Sequence, residues 1–307
     1  MRSNAIGLTP FEQAQRSWAR SITSYADVPA EYATFFDPLR ASGAPFPLVV
    51  VAPSYEGFLH REIEKLVCAT PDEVTILERH GHRLFLRRFP IAGISYVEMS
   101  SALLDARLKI VGLEGDDRLP ATTAVRFNSV TEFLFAPIVT RIRSAGSASE
   151  PRPDGQSTAF HAWGRQNFKF MNYARRSLLG QEAVHQAILQ REIRVNIVSA
   201  FGRSLRRTAS PTHATILTDR EFISIRELLY PGDQERYGGV WDYVPLPRID
   251  RLSVASVGHG LVGLTVHLPG EARLDLQYET SAGPELDALR AKFSELQGIE
   301  VEGQGTS

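Results

Sequence analysis

Apolar positions recur along this chain with two different periods, and the places where the period changes mark its organisation. Thr9-Pro10 offers a cap and a proline for a first helical turn, and Phe11, Ala14, Trp18 and Ile22 follow at helical spacing. This predicts a helix from 10 to about 24, and a shorter helical piece follows at 31–36. Residues 1–44 therefore read as an N-terminal helical arm. At Pro47 the pattern turns to strand, with Leu48-Val49-Val50-Val51-Ala52 held between two prolines. Leu59, Ile63, Leu66 and Val67 return to helical spacing over 58–68. Strand-like runs then cover 74–79, 83–89, 94–99, 106–113 and 122–127. A helix-like segment at 130–142 ends the set, with Pro137 placed to kink or shorten it.

Gly, Ser, Pro and Ala dominate 144–159, which reads as a flexible linker. After a distinct segment at 160–210 the strand pattern returns at 213–218, 222–227, 240–246, 249–257, 261–268 and 273–278. An amphipathic helix at 284–297 follows, with Leu286, Leu289, Phe293 and Leu296 on one face. The two stretches look like one unit written twice. Thr75-Ile76-Leu77 answers Thr215-Ile216-Leu217, Pro90 and Ile94 answer Pro245 and Ile249, and each stretch ends in strand, polar turn and helix. This predicts a first domain at 45–143 and a second at 211–307.

Composition narrows the class. The chain has 307 residues, about two domains' worth, and 43% of them are hydrophobic, enough for real cores. A single cysteine, Cys68, excludes an intrachain disulfide framework and a cysteine zinc cluster, and its apolar surroundings predict a buried small hydrophobe. No apolar run approaches the roughly 20 residues of a bilayer span, and the N-terminus lacks an apolar signal-peptide core. The expectation is a soluble bacterial protein of the cytoplasm. Its cations are 30 Arg against 4 Lys, and Arg is the better fork for phosphate and carboxylate oxygens.

Candidate chemistry is sparse. Gly258-His259-Gly260-Leu261-Val262-Gly263 matches the dinucleotide fingerprint, but its exit alternates and stops at Pro269, so a glycine-rich hairpin turn is expected instead of a cofactor site. His80-Gly81-His82 offers two potential metal ligands where a site needs three or four, so neither a metal nor a cofactor is expected. No nucleophile elbow, zincin motif or phosphate-binding lysine loop occurs. An enzyme would need scattered groups, with Asp242, His259 and His267 as candidates.

The formal net charge of −1 conceals a separation. Residues 160–210 carry nine cations and two acids, Glu182 and Glu192, for a net of +7, and the other 256 residues carry −8. On a helix over 159–179, Arg165, Lys169 and Arg176 share one face, while Trp163, Phe170, Met171, Ala174 and Leu178 fill the opposite arc. Phe168 and Tyr173 lie on the flanks. This basic amphipathic helical segment suits an acidic protein partner or an anionic lipid surface. The candidate binding face is Arg165, Lys169, Arg175, Arg176, Arg203, Arg206 and Arg207. Nucleic acid would use the same residues, against an acidic remainder that disfavours it.

The run His213-Ala214-Thr215-Ile216-Leu217-Thr218-Asp219-Arg220-Glu221-Phe222-Ile223-Ser224-Ile225 is similar to the opening hairpin of bacterial pleckstrin-homology-like (PH-like) domains. Tyr243-Val244-Pro245-Leu246-Pro247-Arg248-Ile249 and the strand and helix of 274–296 fit the same fold. The resemblance implies an α+β, mainly β protein. It would hold two tandem PH-like bent-sheet near-barrels, each closed by a C-terminal helix, with N-terminal and central helices added. It also implies a binding scaffold for lipid head groups, peptides or proteins, many of whose bacterial members have no assigned role. In head-group-binding members a basic loop between the first two strands contacts phosphate. The matching positions are Arg79, His80, His82 and Arg83. The expected function is a non-enzymatic binding or adaptor protein.

Overall fold

Antiparallel pairing between neighbours in sequence builds nearly all of the protein, and one pairing between distant strands joins its halves. The computed structural model describes residues 18–56, 61–81, 83–145, 156–180, 182–200, 203–228 and 238–298. In the first half, β1 (Arg20–Ile22) and β2 (Leu48–Ala52) are followed by a small hairpin of β3 (Tyr55–Glu56) and β4 (Arg61–Glu62). Then come β5 (Lys65–Ala69), β6 (Glu73–His80) and β7 (Arg83–Pro90). A five-stranded sheet results, in the order β1-β2-β5-β6-β7. β2 and β5 are buried on both faces. Val50, Ala52, Val67 and Ala69 enter the main core. Val49, Val51, Leu66 and Cys68 pack on Tyr32 and on Phe36 of helix α1 (Ala33–Ala41).

After Pro90 a 3-10 turn, Ile91–Gly93, leads into β8 (Ile94–Ala102), β9 (Asp105–Glu114) and β10 (Leu119–Asn128). A 3-10 segment, Ser129–Leu134, then precedes α2 (Ala136–Ser144). Pro137 falls in the first turn of α2, where its missing N–H has no intrahelical partner to lose, so it starts the helix instead of kinking it.

The second half repeats this series. Helices α3 (His161–Gln166) and α4 (Phe168–Ser177) come first, then β11 (Val184–Gln190), an inserted hairpin of β12 (Ile193–Ala200) and β13 (Arg203–Ser210), β14 (His213–Thr218), β15 (Glu221–Arg226) and β16 (Gly239–Pro245). A 3-10 turn after Pro245 leads to β17 (Arg251–Gly258), β18 (Leu261–His267) and β19 (Arg273–Glu279), and α5 (Gly283–Leu296) packs Leu286, Leu289 and Phe293 into the second core. Hydrogen bonds fix the correspondence. In Thr70-Pro71-Asp72-Glu73 the Glu73 N–H donates to Thr70 Oγ1 at 3.1 Å, and in Thr218-Asp219-Arg220-Glu221 the Glu221 N–H donates to Thr218 Oγ1 at 3.0 Å. Ile91 N donates to Asp72 O, and Leu246 N to Arg220 O, in the same relation. So β5 answers β14 and β6 answers β15, one strand away from the pairing of Thr75 with Thr215 expected from the sequence.

The halves are not separate cores. β8 pairs with β16 from Val97↔Tyr243 to Ser101↔Gly239, giving a seven-stranded sheet in the order β10-β9-β8-β16-β15-β14-β11. One face carries the main core, with Met99, Leu108, Ile216 and Ile223 against α2 and against Trp163 and Phe170 of α3 and α4. The other carries the second core, where Tyr96, Val244, Phe222 and Leu217 meet β17–β19 and α5. Gly238, at φ +80°, makes the seam possible, because a Cβ there would stand 1.8 Å from Ser101 O.

Several expectations are corrected. Of the helix expected over 58–68, residues 58–60 lie outside the described residues, and 61–62 and 65–69 are strand: β5 is buried on both faces, so its apolar run lacks the alternation of a one-sided strand. Of the arm helix at 10–24, residues 1–17 lie outside the described residues, and 20–22 pair with β2 as a strand. The basic segment is helical only to Ser177, and from Val184 it forms β11, β12 and β13. Of the linker, 146–155 lie outside the described residues, while Ser144 ends α2 and Gln156–Ala159 is helical.

Candidate functional site

The helix expected over 159–179 is broken at Asn167, whose backbone is extended (φ −158°, ψ 94°) and whose side-chain oxygen caps α4 by accepting from Phe170 N at 3.2 Å. The break does not disturb the apolar arc. Trp163, Phe170, Met171 and Ala174 are buried in the main core, so the opposite side of α3 and α4 faces outward. Arg165, Arg175 and Arg176 are exposed there, and Phe168 is 66% exposed beside them. Lys169 is withdrawn from this face: its Nζ pairs with Glu227 Oε1 at 3.1 Å and lies over the Tyr173 ring. Arg207 is exposed on β13, and the side chains of Arg203 and Arg206 on the same strand lie outside the described residues. β13 contacts β19, on the opposite side of the seven-stranded sheet from α4, so the predicted basic face divides into a helical part and a hairpin part.

Between α2 and α4, over the β8–β16 seam, lies a cavity of about 530 Å³. Tyr173 and Trp241 form an edge-on wall with ring centres 4.9 Å apart, and Tyr243, Arg143, Glu132 and Arg176 also line it. At its floor Arg143 is 6% exposed. Its guanidinium lies 3.8 Å over the Tyr243 ring and donates from Nε to Glu221 Oε2 at 3.0 Å, from Nη2 to Glu221 Oε1, and from Nη2 to Ser177 O. Burial works against the Arg143 charge, but Glu221 more than offsets this and holds the group above its ordinary value. Burial and then the neighbouring Glu221 push Glu182 up to about 9, and the two carboxyls are hydrogen-bonded. Burial also pushes Glu221 up, with Arg143 acting against it, so the hydrogen-bonded pair holds on to a proton that free carboxyls would release. The Thr218 turn and Asp219, which accepts from Ala183 N at 3.0 Å, hold Glu182 against Glu221.

On the other face of the sheet the register lines up Ser224, Asp242, Glu98 and Lys109 across four adjacent strands. Arg226 Nη2 donates to Asp242 Oδ2 at 2.9 Å, and Lys109 Nζ to Glu98 Oε2 at 3.2 Å. Burial pushes the Asp242 carboxyl up to about 6, with Arg226 acting against it. His259 sits at the exposed β17–β18 turn, while His267, at the far end of that hairpin, meets Ser253 Oγ at 2.8 Å. The candidate groups for an enzyme therefore do not converge. The glycine-rich motif is the hairpin turn expected from its exit: Gly258, His259 and Gly260 all have positive φ, and a strand follows.

The loop at 79–83 joins the third and fourth of the strands β2, β5, β6 and β7, not the first two, which corrects its equation with a head-group loop. Arg79 is held by Glu64 at 2.8 Å and Glu31 at 3.7 Å, and His80 stands edge-on to Phe85. Arg83 is exposed, and His82 lies outside the described residues. Cys68 is buried as expected, though on a strand, and burial pushes its thiol up to about 12. Sequence reasoning missed Arg143, Glu221 and Glu182 as a group. The only available signal was Glu182 as a rare acid in a basic segment, and its partners are remote in the chain.

Compared with protein-family models and with curated proteins, the chain matches none. Among the described residues no helix is long and apolar enough to cross a membrane.

Proposed function

We propose that this is a non-catalytic binding or adaptor protein, built from two PH-like units that share a sheet, which docks on an anionic membrane surface from the cytoplasmic side. The observation that carries this reading is the outward side of α3 and α4, where Arg165, Arg175 and Arg176 are exposed on the same segment as an exposed Phe168. Cations beside an exposed aromatic are the composition of an interfacial surface. The burial of Trp163, Phe170 and Met171 beneath them keeps the face rigid.

The PH-like reading is supported by the order common to both halves: four sheet strands ending in proline, three strands, then a helix. On that reading the connection between the first and second strands of the second unit is the β12–β13 hairpin, which carries Arg203, Arg206 and Arg207. This is the place where head-group-binding members resemble one another in contacting phosphate.

Co-sedimentation with phosphatidylcholine vesicles, with and without 30% phosphatidylserine, tests the proposal. Each cation near such a surface contributes about 1 kcal/mol. The Arg165→Ala/Arg175→Ala/Arg176→Ala variant should therefore lose affinity by about 100-fold, with the loss shrinking as salt is raised. Wild type and variant sedimenting alike would remove this face from the function.

A second reading, an acidic protein segment, is favoured by the aromatic-walled cavity with Arg143 at its floor and Arg176 in its lining. Binding of a glutamate-rich peptide, with no response to vesicles, would select it.

A further inference from the structure

Four of the exposed large apolar side chains of the first half gather in one place. Leu103 and Leu104 form the tip of the β8–β9 hairpin and are 75% and 65% exposed, and Val130 and Phe133, on the 3-10 segment after β10, are 51% and 68% exposed. Ser129 ties the two pieces together, its N–H donating to Leu104 O at 3.2 Å and its Oγ to Leu103 O at 2.5 Å. Resting on the membrane reading above, we propose that this hairpin tip and the adjoining 3-10 segment are an apolar anchor that inserts into the lipid phase of the same surface.

Three observations favour lipid over a protein pocket as the occupant. The apolar groups sit on a protruding turn and not in a groove, so they need a medium that closes around them. The tip carbonyls of Leu103 and Leu104 are already bonded by Ser129, which removes the cost of taking bare carbonyls out of water. Of the acids nearby, Asp105 is exposed but bonded by Arg126 Nε at 2.5 Å, and Glu132 is half-buried, with burial raising its pKa. Arg107, two residues beyond Asp105, is exposed with no ion pair among the described residues, which complements an anionic surface. Leu103 also holds φ +52°, a conformation that favours glycine, so the bulky side chain is kept on the tip against backbone strain.

The test combines Leu103→Gly, Leu104→Ser and Phe133→Ser, all at exposed positions, and measures sedimentation with phosphatidylcholine vesicles carrying 30% phosphatidylserine. At 1 M NaCl, where the screening length is about 3 Å, wild type should keep a bound fraction and the variant should lose at least about tenfold of it, in line with three large apolar groups removed. A second measurement places an environment-sensitive dye at the tip. Cys68, the single cysteine, is buried, so Leu104→Cys takes the label alone. Its emission should shift to the blue when vesicles are added, and the same dye on Ser256→Cys, at the exposed second-half hairpin, should not shift.

Unchanged salt-resistant binding in the triple variant, or no shift at position 104 while the protein sediments, overturns the anchor and leaves the basic face standing. A blue shift that follows protein concentration without vesicles also overturns it, because the patch would then bind a second copy. If wild type sediments with no vesicle at any salt, the membrane reading and the anchor fall together.

Discussion

The two halves run through the same elements and use their fourth strand differently. In the first half β7 is an outer strand, with Phe85 and Leu86 half exposed. In the second half β16 is interior, zipped to β8 of the first. That single difference decides where charge is buried. Glu73 and Glu221 occupy equivalent turns with equivalent hydrogen bonds to a threonine. Glu73 is half-buried and accepts from Thr75 Oγ1, whereas Glu221 is wholly buried and paired with Arg143. The hairpin tips diverge in the same way. Thr280 bonds Gly260 O as Ser129 bonds Leu104 O, but one tip is His259-Gly260 and the other Leu103-Leu104. A repeated scaffold thus fixes the backbone twice and leaves the side chains free to specialise.

The largest expected effect comes from separating the two glutamates. Glu221→Ala leaves Arg143 buried without its counter-ion and should cost about 3–5 kcal/mol, while Glu73→Ala removes one hydrogen bond and should cost about 1 kcal/mol. Urea unfolding of the two variants checks the contrast, and equal losses would break it.

Next are two glycines that precede equivalent strands. Gly238→Ala drives a Cβ into the Ser101 carbonyl and should destabilise by about 3 kcal/mol. Gly81→Ala, at φ +63° with nothing within 4 Å, should cost about 1 kcal/mol of backbone strain.

A smaller effect is read with pH. The folded protein holds a proton on Glu182 up to about pH 9, while the unfolded chain releases it near 4.5. The folded state therefore binds the extra proton, and stability should fall as pH rises from 7 to 9, by up to about 1.4 kcal/mol per unit. Urea midpoints at pH 7, 8 and 9 should show this slope in wild type and lose it in Glu182→Gln, which mimics the protonated acid.

The smallest contrast is at the tips. Leu103→Gly should relieve strain and raise stability by up to about 1 kcal/mol, whereas Gly260→Ala, at φ +71°, should lower it by a similar amount. Thermal unfolding resolves both signs.

Much of the fold was legible. The runs at 213–218, 222–227, 240–246, 261–268 and 273–278, and the helix near 284–297, fall on β14, β15, β16, β18, β19 and α5 with small shifts at their ends. β18, β19 and α5 carry their period openly, and β14, β15 and β16, buried on both faces, were legible as separate apolar runs. β5 was not, because its apolar run continues the helical spacing of Leu59 and Ile63 before it. The α3–α4 segment was legible as an amphipathic face with Trp163 and Phe170 inward, but not its break, since Asn167 is compatible with a helix until its side chain caps the next one.

The site was less legible. Arg165, Arg175 and Arg176 are exposed, but nothing local marks Lys169 as the partner of Glu227, 58 residues away. Local pattern by itself determined most of the strand runs, the equivalence of Pro90 and Pro245, the hairpin nature of the glycine-rich motif and the burial of Cys68, while the repeat was read one strand out of step. Periodicity, φ restriction and turn chemistry act over a few residues, so they are written where they act. Only the tertiary structure decided that β8 meets β16, that Arg143, Glu221 and Glu182 share one buried cluster, and that Leu103, Leu104, Val130 and Phe133 form one patch. Those choices rest on contacts between residues remote in the chain, whose energy depends on which surfaces the packed sheet brings together.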